Sequence, residues 1–245
     1  MTQQLKIIIE RLNKNEIKKI NKYLVNFKKI VNEEIDVMIL DPRHNADYNN
    51  LLDYYDYLNT KLPKVNIINF YLSFYLKSDV KGNVNDFIKK YIGNREFNRI
   101  HSGNVQEYFL PSSEELIKPI LNKYGTLTTI EFFKEGHKPH KKVSVNRTGN
   151  VQVVRSFDER TNLLLTDEYL DTNLNTQLKI YFNDQGQRES YQLIGEAKPM
   201  VFSEIDLFDQ WFDQIVERDD YIINMNQEFN IIFSNKHDEK KLFLM

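Results

Sequence analysis

The chain contains no cysteine among its 245 residues, which excludes a disulfide framework, a thiol nucleophile and thiolate ligation of a metal. Glycine is nearly as scarce, with 8 residues, so few positions suit left-handed turns or close approach of backbone to a phosphate. Net charge is almost absent. Lys and Arg number 33 against 35 Asp and Glu, giving -2, so no global field marks a nucleic-acid binder. No uninterrupted apolar run reaches the ~18 residues of a transmembrane helix, and Met1 to Glu10 lack the apolar core of a secretory signal. These absences predict a cytoplasmic protein, at most peripheral to a membrane. What is present is 41% apolar and 13% aromatic residues, enough to bury one large core or two smaller ones.

The first third reads as α/β. Leu5 to Ile9 is a short β-branched run, read as a buried strand. Ile17, Ile20, Leu24, Phe27 and Val31 then recur at steps of three and four, with Lys18, Lys19, Lys22, Lys28 and Lys29 on the other face, which predicts an amphipathic helix. A second strand over Ile35 to Leu40, closed by Asp41-Pro42, requires a right-handed parallel crossover. A helix over Tyr48 to Leu58 and a strand over Val65 to Asn69 follow.

From about Phe97 apolar residues alternate with polar ones and turn signals recur, so hairpins replace crossovers. Val143 and Val145 lead into Arg147-Thr-Gly-Asn150 and out along Val151 and Val153; Leu163 to Tyr169, Gln177 to Phe182 and Ser190 to Ile194 continue the meander. Helical spacing returns at Ile205, Phe208, Trp211, Phe212 and Ile215, and Tyr221 to Met225 and Phe229 to Phe233 read as strands. No closing element is expected over Lys236 to Met245. The fold class is therefore α/β with inserted antiparallel β: a Rossmann-like part at 1–92, a β-meander domain at 93–200, and an incomplete second Rossmann-like part at 201–245.

Few residues suggest chemistry. The turn Glu10 to Asn15 has no glycine and is flanked by Glu10 and Glu16, which oppose phosphate binding there. Asp41, Arg43 and His44, with Asp47, sit at the carboxyl end of a predicted parallel strand, where open α/β sheets place ligands; an ordinary turn is the plainer alternative. His137 and His140 flank Pro139, which breaks any helix that would align them on a metal, so no metal site is expected. With Lys134, Lys138, Lys141 and Lys142 they form a basic patch for an anionic acceptor or partner, or else a solvated loop. Phe70 to Tyr75 and the Trp211 group read as core rather than as a sugar platform. No catalytic residue stands out.

The order of elements, with Ile35 to Asp41, Tyr48 to Tyr57, Val65 to Asn69, Val151 to Asp158, Tyr181 to Gly186, Phe202 to Ile215 and Tyr221 to Asn224, resembles a known family. It is similar to the N-terminal half of two-Rossmann-domain glycosyltransferases that act on wall teichoic acid or on Ser-rich adhesins. The resemblance implies an acceptor-side or assembly role, inactive alone, with a cell-wall polymer or Ser-rich protein as acceptor. No cofactor is implied within this chain, because a nucleotide-sugar donor would need the missing second domain. A stand-alone partner of a catalytic glycosyltransferase subunit, or a β-mediated homo-oligomer, are the alternatives.

Overall fold

The computed structural model describes residues 4–9, 13–31, 36–44, 48–62, 65–74, 82–103, 105–134, 137–194, 200–217, 219–230, 232 and 241–244. Two units separate by their contacts: Met1–Asn45, Leu51–Ser73 and Glu204–Met245 make one, and Ala46–Asn50 with Phe74–Ser203 make the other.

The first unit is built on a parallel sheet. Its early elements are β1 (Gln4–Ile8), α1 (Lys14–Val31), β2 (Asp36–Asp41), α2 (Tyr48–Lys61), β3 (Val65–Asn69) and the single turn α3 (Phe70–Ser73). The chain returns to this unit with α5 (Glu204–Ile215), β14 (Tyr221–Asn224) and β15 (Lys241–Leu244). The sheet order is β15-β14-β1-β2-β3, every pair parallel. β1 thus lies between an early strand and a late one. β-branched residues fill it because a central parallel strand is covered on both faces; Leu5, Ile7 and Ile8 are wholly buried. α1 starts where the Asn13 side chain accepts from the amides of Asn15 and Glu16, and it buries Ile17, Ile20 and Phe27 while Lys18, Lys19 and Lys22 stay exposed.

Phe70 packs edge-on against Phe208 at 4.7 Å and Trp211 at 5.2 Å, and Phe229 meets Phe208 at 5.0 Å. These rings are core, as the sequence indicated. Two expectations need correction. Phe229 to Phe233 is not a strand: Gln227–Phe229 forms a 3-10 turn capped by Asn226, with Ile231 and Phe233 outside the described residues. The C-terminal stretch does carry a closing element, β15, whose apolar Leu242, Phe243 and Leu244 extend the sheet beside β14.

The second unit opens with α4 (Val84–Ile92), followed by β4 (Asn98–Ser102), β5 (Val105–Leu110), β6 (Glu115–Leu121), β7 (Leu127–Phe133), β8 (Lys141–Val145), β9 (Val151–Phe157), β10 (Leu164–Leu170), β11 (Thr176–Phe182), β12 (Arg188–Leu193) and β13 (Met200–Phe202). The ten strands form one sheet in strict chain order, each antiparallel to the next. Strand alternation sends Ile117, Ile130, Phe132, Val143 and Val154 to one face, where Ile88 and Ile92 of α4 cover them. α4 was not anticipated, and it lies with the antiparallel sheet rather than with the segment 1–92.

Candidate functional site

At the carboxyl edge of the parallel sheet, Asp41 and Asn69 end neighbouring strands in register, both buried. The Asp41 carboxylate accepts from Arg43 Nε at 2.7 Å, Arg43 Nη2 at 2.6 Å and the Tyr55 hydroxyl at 2.5 Å. Asn69 Nδ2 donates to the Arg43 carbonyl at 3.0 Å, and His44 stands edge-on to Tyr71 at 5.1 Å. Burial, then the Asp41 charge, raises the Tyr55 pKa, so its hydroxyl remains a donor. Asp41 and Arg43 are thus brought together, with the carboxylate engaged in shaping the loop, whereas His44 packs on Tyr71. Asp47 and Glu10 lie outside the described residues.

The basic patch divides. Lys134, Lys138 and His140 line a cleft of about 590 Å³ with the Pro111–Ser113 turn and the turn that holds Asp158, Glu159 and Arg160. His137 is exposed beside it, and Lys141 and Lys142 point elsewhere. Lys142 lies opposite Glu131 in the sheet, and they form an ion pair at 2.8 Å on the face away from α4. Lys141 lies on the α4 side, 4.8 Å over the Tyr91 ring, and burial lowers its pKa.

Behind the cleft, His140 Nε2 sits 2.7 Å from Oε1 of Glu115, an acid only 1% exposed. The Tyr91 hydroxyl donates to the same oxygen at 2.6 Å, and Arg95 Nη1 lies 3.5 Å from Oε2. Burial alone would raise the Glu115 pKa; hydrogen bonds from His140 and Tyr91, with the His140 and Arg95 charges, outweigh it and hold the carboxyl below its ordinary value. At the rim, Lys134 pairs with Glu159 at 2.5 Å and holds that acid low as well. Among the described residues no group of three His, Asp or Glu side chains could hold a metal. Glu115, Tyr91, Arg95 and Arg160 were missed in the sequence. Glu115 did leave a signal, since alternation puts it on the face of Ile117, an acid at an apolar position.

No protein-family profile matches the sequence, and no curated protein matches it. Solved structures do match. A mutant of S. aureus TarM, bound to fondaparinux, alpha-GlcNAc-glycerol and UDP, matches 99% of this chain and 50% of its own, with TM-score 0.71 and 14% identity. The likeness establishes the fold. The pneumococcal O-GlcNAc transferase GtfA with UDP and GlcNAc follows at TM-score 0.65 and 13% identity, over 99% of this chain and 47% of that one. A Glycosylation Associate Protein complex from Streptococcus agalactiae matches at TM-score 0.59 and 13% identity, over 98% of this chain and 51% of that one. The chain spans about half the length of the structures it matches. The resemblance seen in the order of elements is thus met in three dimensions. No described helix is long and apolar enough to cross a membrane.

Proposed function

We propose that this chain is the acceptor-side or assembly portion of a glycosyltransferase that adds sugar to wall teichoic acid or to a Ser-rich surface protein. The observation that carries this reading is coverage: 99% of the chain, with its parallel sheet and its large antiparallel one, matches about half of S. aureus TarM and of GtfA. The parallel unit is read as a Rossmann-like half whose strands β1 to β3 and β14 to β15 flank the inserted meander. Its first turn lacks the glycines that let backbone amides cradle a pyrophosphate, so donor contacts fall to a domain outside these 245 residues. On this reading the chain alone transfers nothing, and it works in the cytoplasm, at most at the membrane surface.

Saturation binding of the chain to purified wall teichoic acid and to a Ser-rich peptide tests the role. Binding to one of them is expected; binding to neither, with stable self-assembly, would leave only an oligomerisation module. A second reading is a stand-alone partner of a catalytic subunit, favoured by the match to the S. agalactiae complex. Co-purification of a glycosyltransferase with the native chain would distinguish it.

A further inference from the structure

Helix α1 carries six lysines, one acid and no arginine in its 18 residues, in a chain whose net charge is -2. Its apolar side is engaged by the sheet: Ile17, Ile20 and Phe27 are buried, and Phe27 meets Tyr221 of β14 edge-on at 5.0 Å. The other side presents a row of Lys18, Lys22, Val25 and Lys29, spaced by four, three and four residues and all exposed. The one acid of the helix, Glu16, is held by Lys19 at 2.8 Å. Lys18, Lys22 and Lys29 have no ion-pair partner among the described residues. Every helix position three or four residues from Lys18 or Lys22 is Lys, Asn or Val. The Glu–Lys pairs that steady a solvated helix are therefore missing, and Lys18 and Lys22 repel each other one turn apart. Glu33 and Glu34 follow only after the helix has ended, outside the described residues.

Two features say what kind of anion suits this row. Lysines supply point charges without the planar fork by which arginine grips a single phosphate, which fits a diffuse field of headgroups. Val25 is 55% exposed in the midst of the cations, and it gains from a surface with an apolar layer beneath its charges. We propose that the exposed face of α1 docks on a bilayer rich in anionic lipid, with Lys18, Lys22 and Lys29 facing the headgroups and Val25 settling among them. The helix lies on the surface and does not insert, because its apolar side stays on the sheet. This deepens the proposed function by naming the surface at which the chain works, and it rests on that reading for nothing else. Vesicle binding by a chain with no part in glycosylation would refute the function and keep the surface.

The test is co-sedimentation of the whole chain with sucrose-loaded vesicles, phosphatidylglycerol mixed with phosphatidylcholine against phosphatidylcholine alone. Binding to the anionic vesicles that is lost in high salt, and none to the neutral ones, is expected. The Lys18→Gln/Lys22→Gln/Lys29→Gln variant should bind about a hundredfold more weakly, at roughly fivefold per lysine. It should melt no lower than the parent, because the repulsion between Lys18 and Lys22 is relieved. Val25→Ser should weaken binding by about threefold. Lys89→Gln/Lys123→Gln/Lys138→Gln makes the same charge change on exposed side chains of the antiparallel unit and should bind like the parent. Equal binding to both vesicles, parent-like binding by either α1 variant, an equal loss in the control variant, or binding of duplex RNA in place of vesicles would each overturn the proposal.

Discussion

Lys6 and Asp220 face each other across 3.6 Å inside the parallel sheet, each side chain only 3% exposed, although 213 positions of chain lie between them. Lys6 sits on the central strand β1, and Asp220 immediately precedes β14, the strand paired with it. Asp220 also accepts from the Gln4 amide at 3.0 Å and the Glu217 amide at 2.9 Å. One carboxylate therefore secures the return of the chain after the antiparallel unit. Asp220→Ala strands a buried ammonium and removes both amide partners, so it should lower stability by about 3–5 kcal/mol in urea unfolding. An effect under about 1 kcal/mol would mean the ammonium reaches water.

Gly82 and Gly149 make a different kind of contact. A Cβ at Gly82 would lie 2.4 Å from the Gly149 carbonyl oxygen, and backbone cannot yield as a flexible side chain can. The approach exists because Asn83 binds the hairpin, accepting from the Val151 amide at 2.8 Å and donating to the Thr172 carbonyl at 2.9 Å. Gly82→Ala should cost about 1–3 kcal/mol by chemical denaturation. Gly103→Ala tests the other glycine mechanism: with nothing within 4 Å, its cost comes from a φ of +60° alone, about 1 kcal/mol.

Burial should decide the outcome along a row of charges that crosses the sheet. Lys118 lies opposite Glu131, Glu131 opposite Lys142, Lys142 opposite Arg155, and Arg155 opposite Asp167. Lys142 and Glu131 are partly solvated, whereas Asp167 is fully buried and takes two hydrogen bonds from Arg155, at 3.0 and 2.9 Å. Lys142→Gln should change stability by less than about 1 kcal/mol, and Arg155→Gln by roughly 3 kcal/mol. Thermal unfolding of the two variants side by side reads the difference.

Glu115 makes the unit acid-sensitive. Its carboxyl is held below its ordinary value of 4.5 by hydrogen bonds from His140 and Tyr91 and by the nearby His140 and Arg95 charges, against the opposing effect of burial. A depressed acid contributes stability that is fully present above its unfolded pKa and is lost as pH falls through the folded one. Unfolding free energy should therefore fall below about pH 4.5, and Glu115→Gln should show a shallower acid limb than the parent. Parallel limbs would contradict the assignment.

Much of this architecture is legible in the residues. β1, α1, β2 and β3 declare themselves by apolar runs and by a 3.6-residue stripe, signals that survive because each element buries one defined set of side chains. The hairpins also carry a beat of their own. Asn146, Asp158, Asp171 and Asn183 each accept from the amide two residues on, and they are spaced 12, 13 and 12 residues apart. At Asp171 the left-handed residue is Leu174, φ 64°, where the Asn146 and Asn183 turns place Gly149 and Gly186, so a search for glycine passes over it. α4 was hidden because it is short and lies just ahead of the change in rhythm. β15 was hidden because its four residues pair with a strand just as short, and neither has a pattern to read alone. The cleft could not be assembled from sequence, since Glu115, His140 and Arg160 meet only through the register of β6 to β10. The run of lysines drew attention to the patch, while alternation along β8 sends Lys141 and Lys142 to opposite faces of the sheet.

The most direct test of the central claim is deletion of this coding segment in its source cells, followed by mass spectrometry of the sugars on wall teichoic acid and on Ser-rich surface proteins. The account predicts that one of these two acceptors loses its sugar and regains it on complementation. Unaltered glycosylation of both would contradict it.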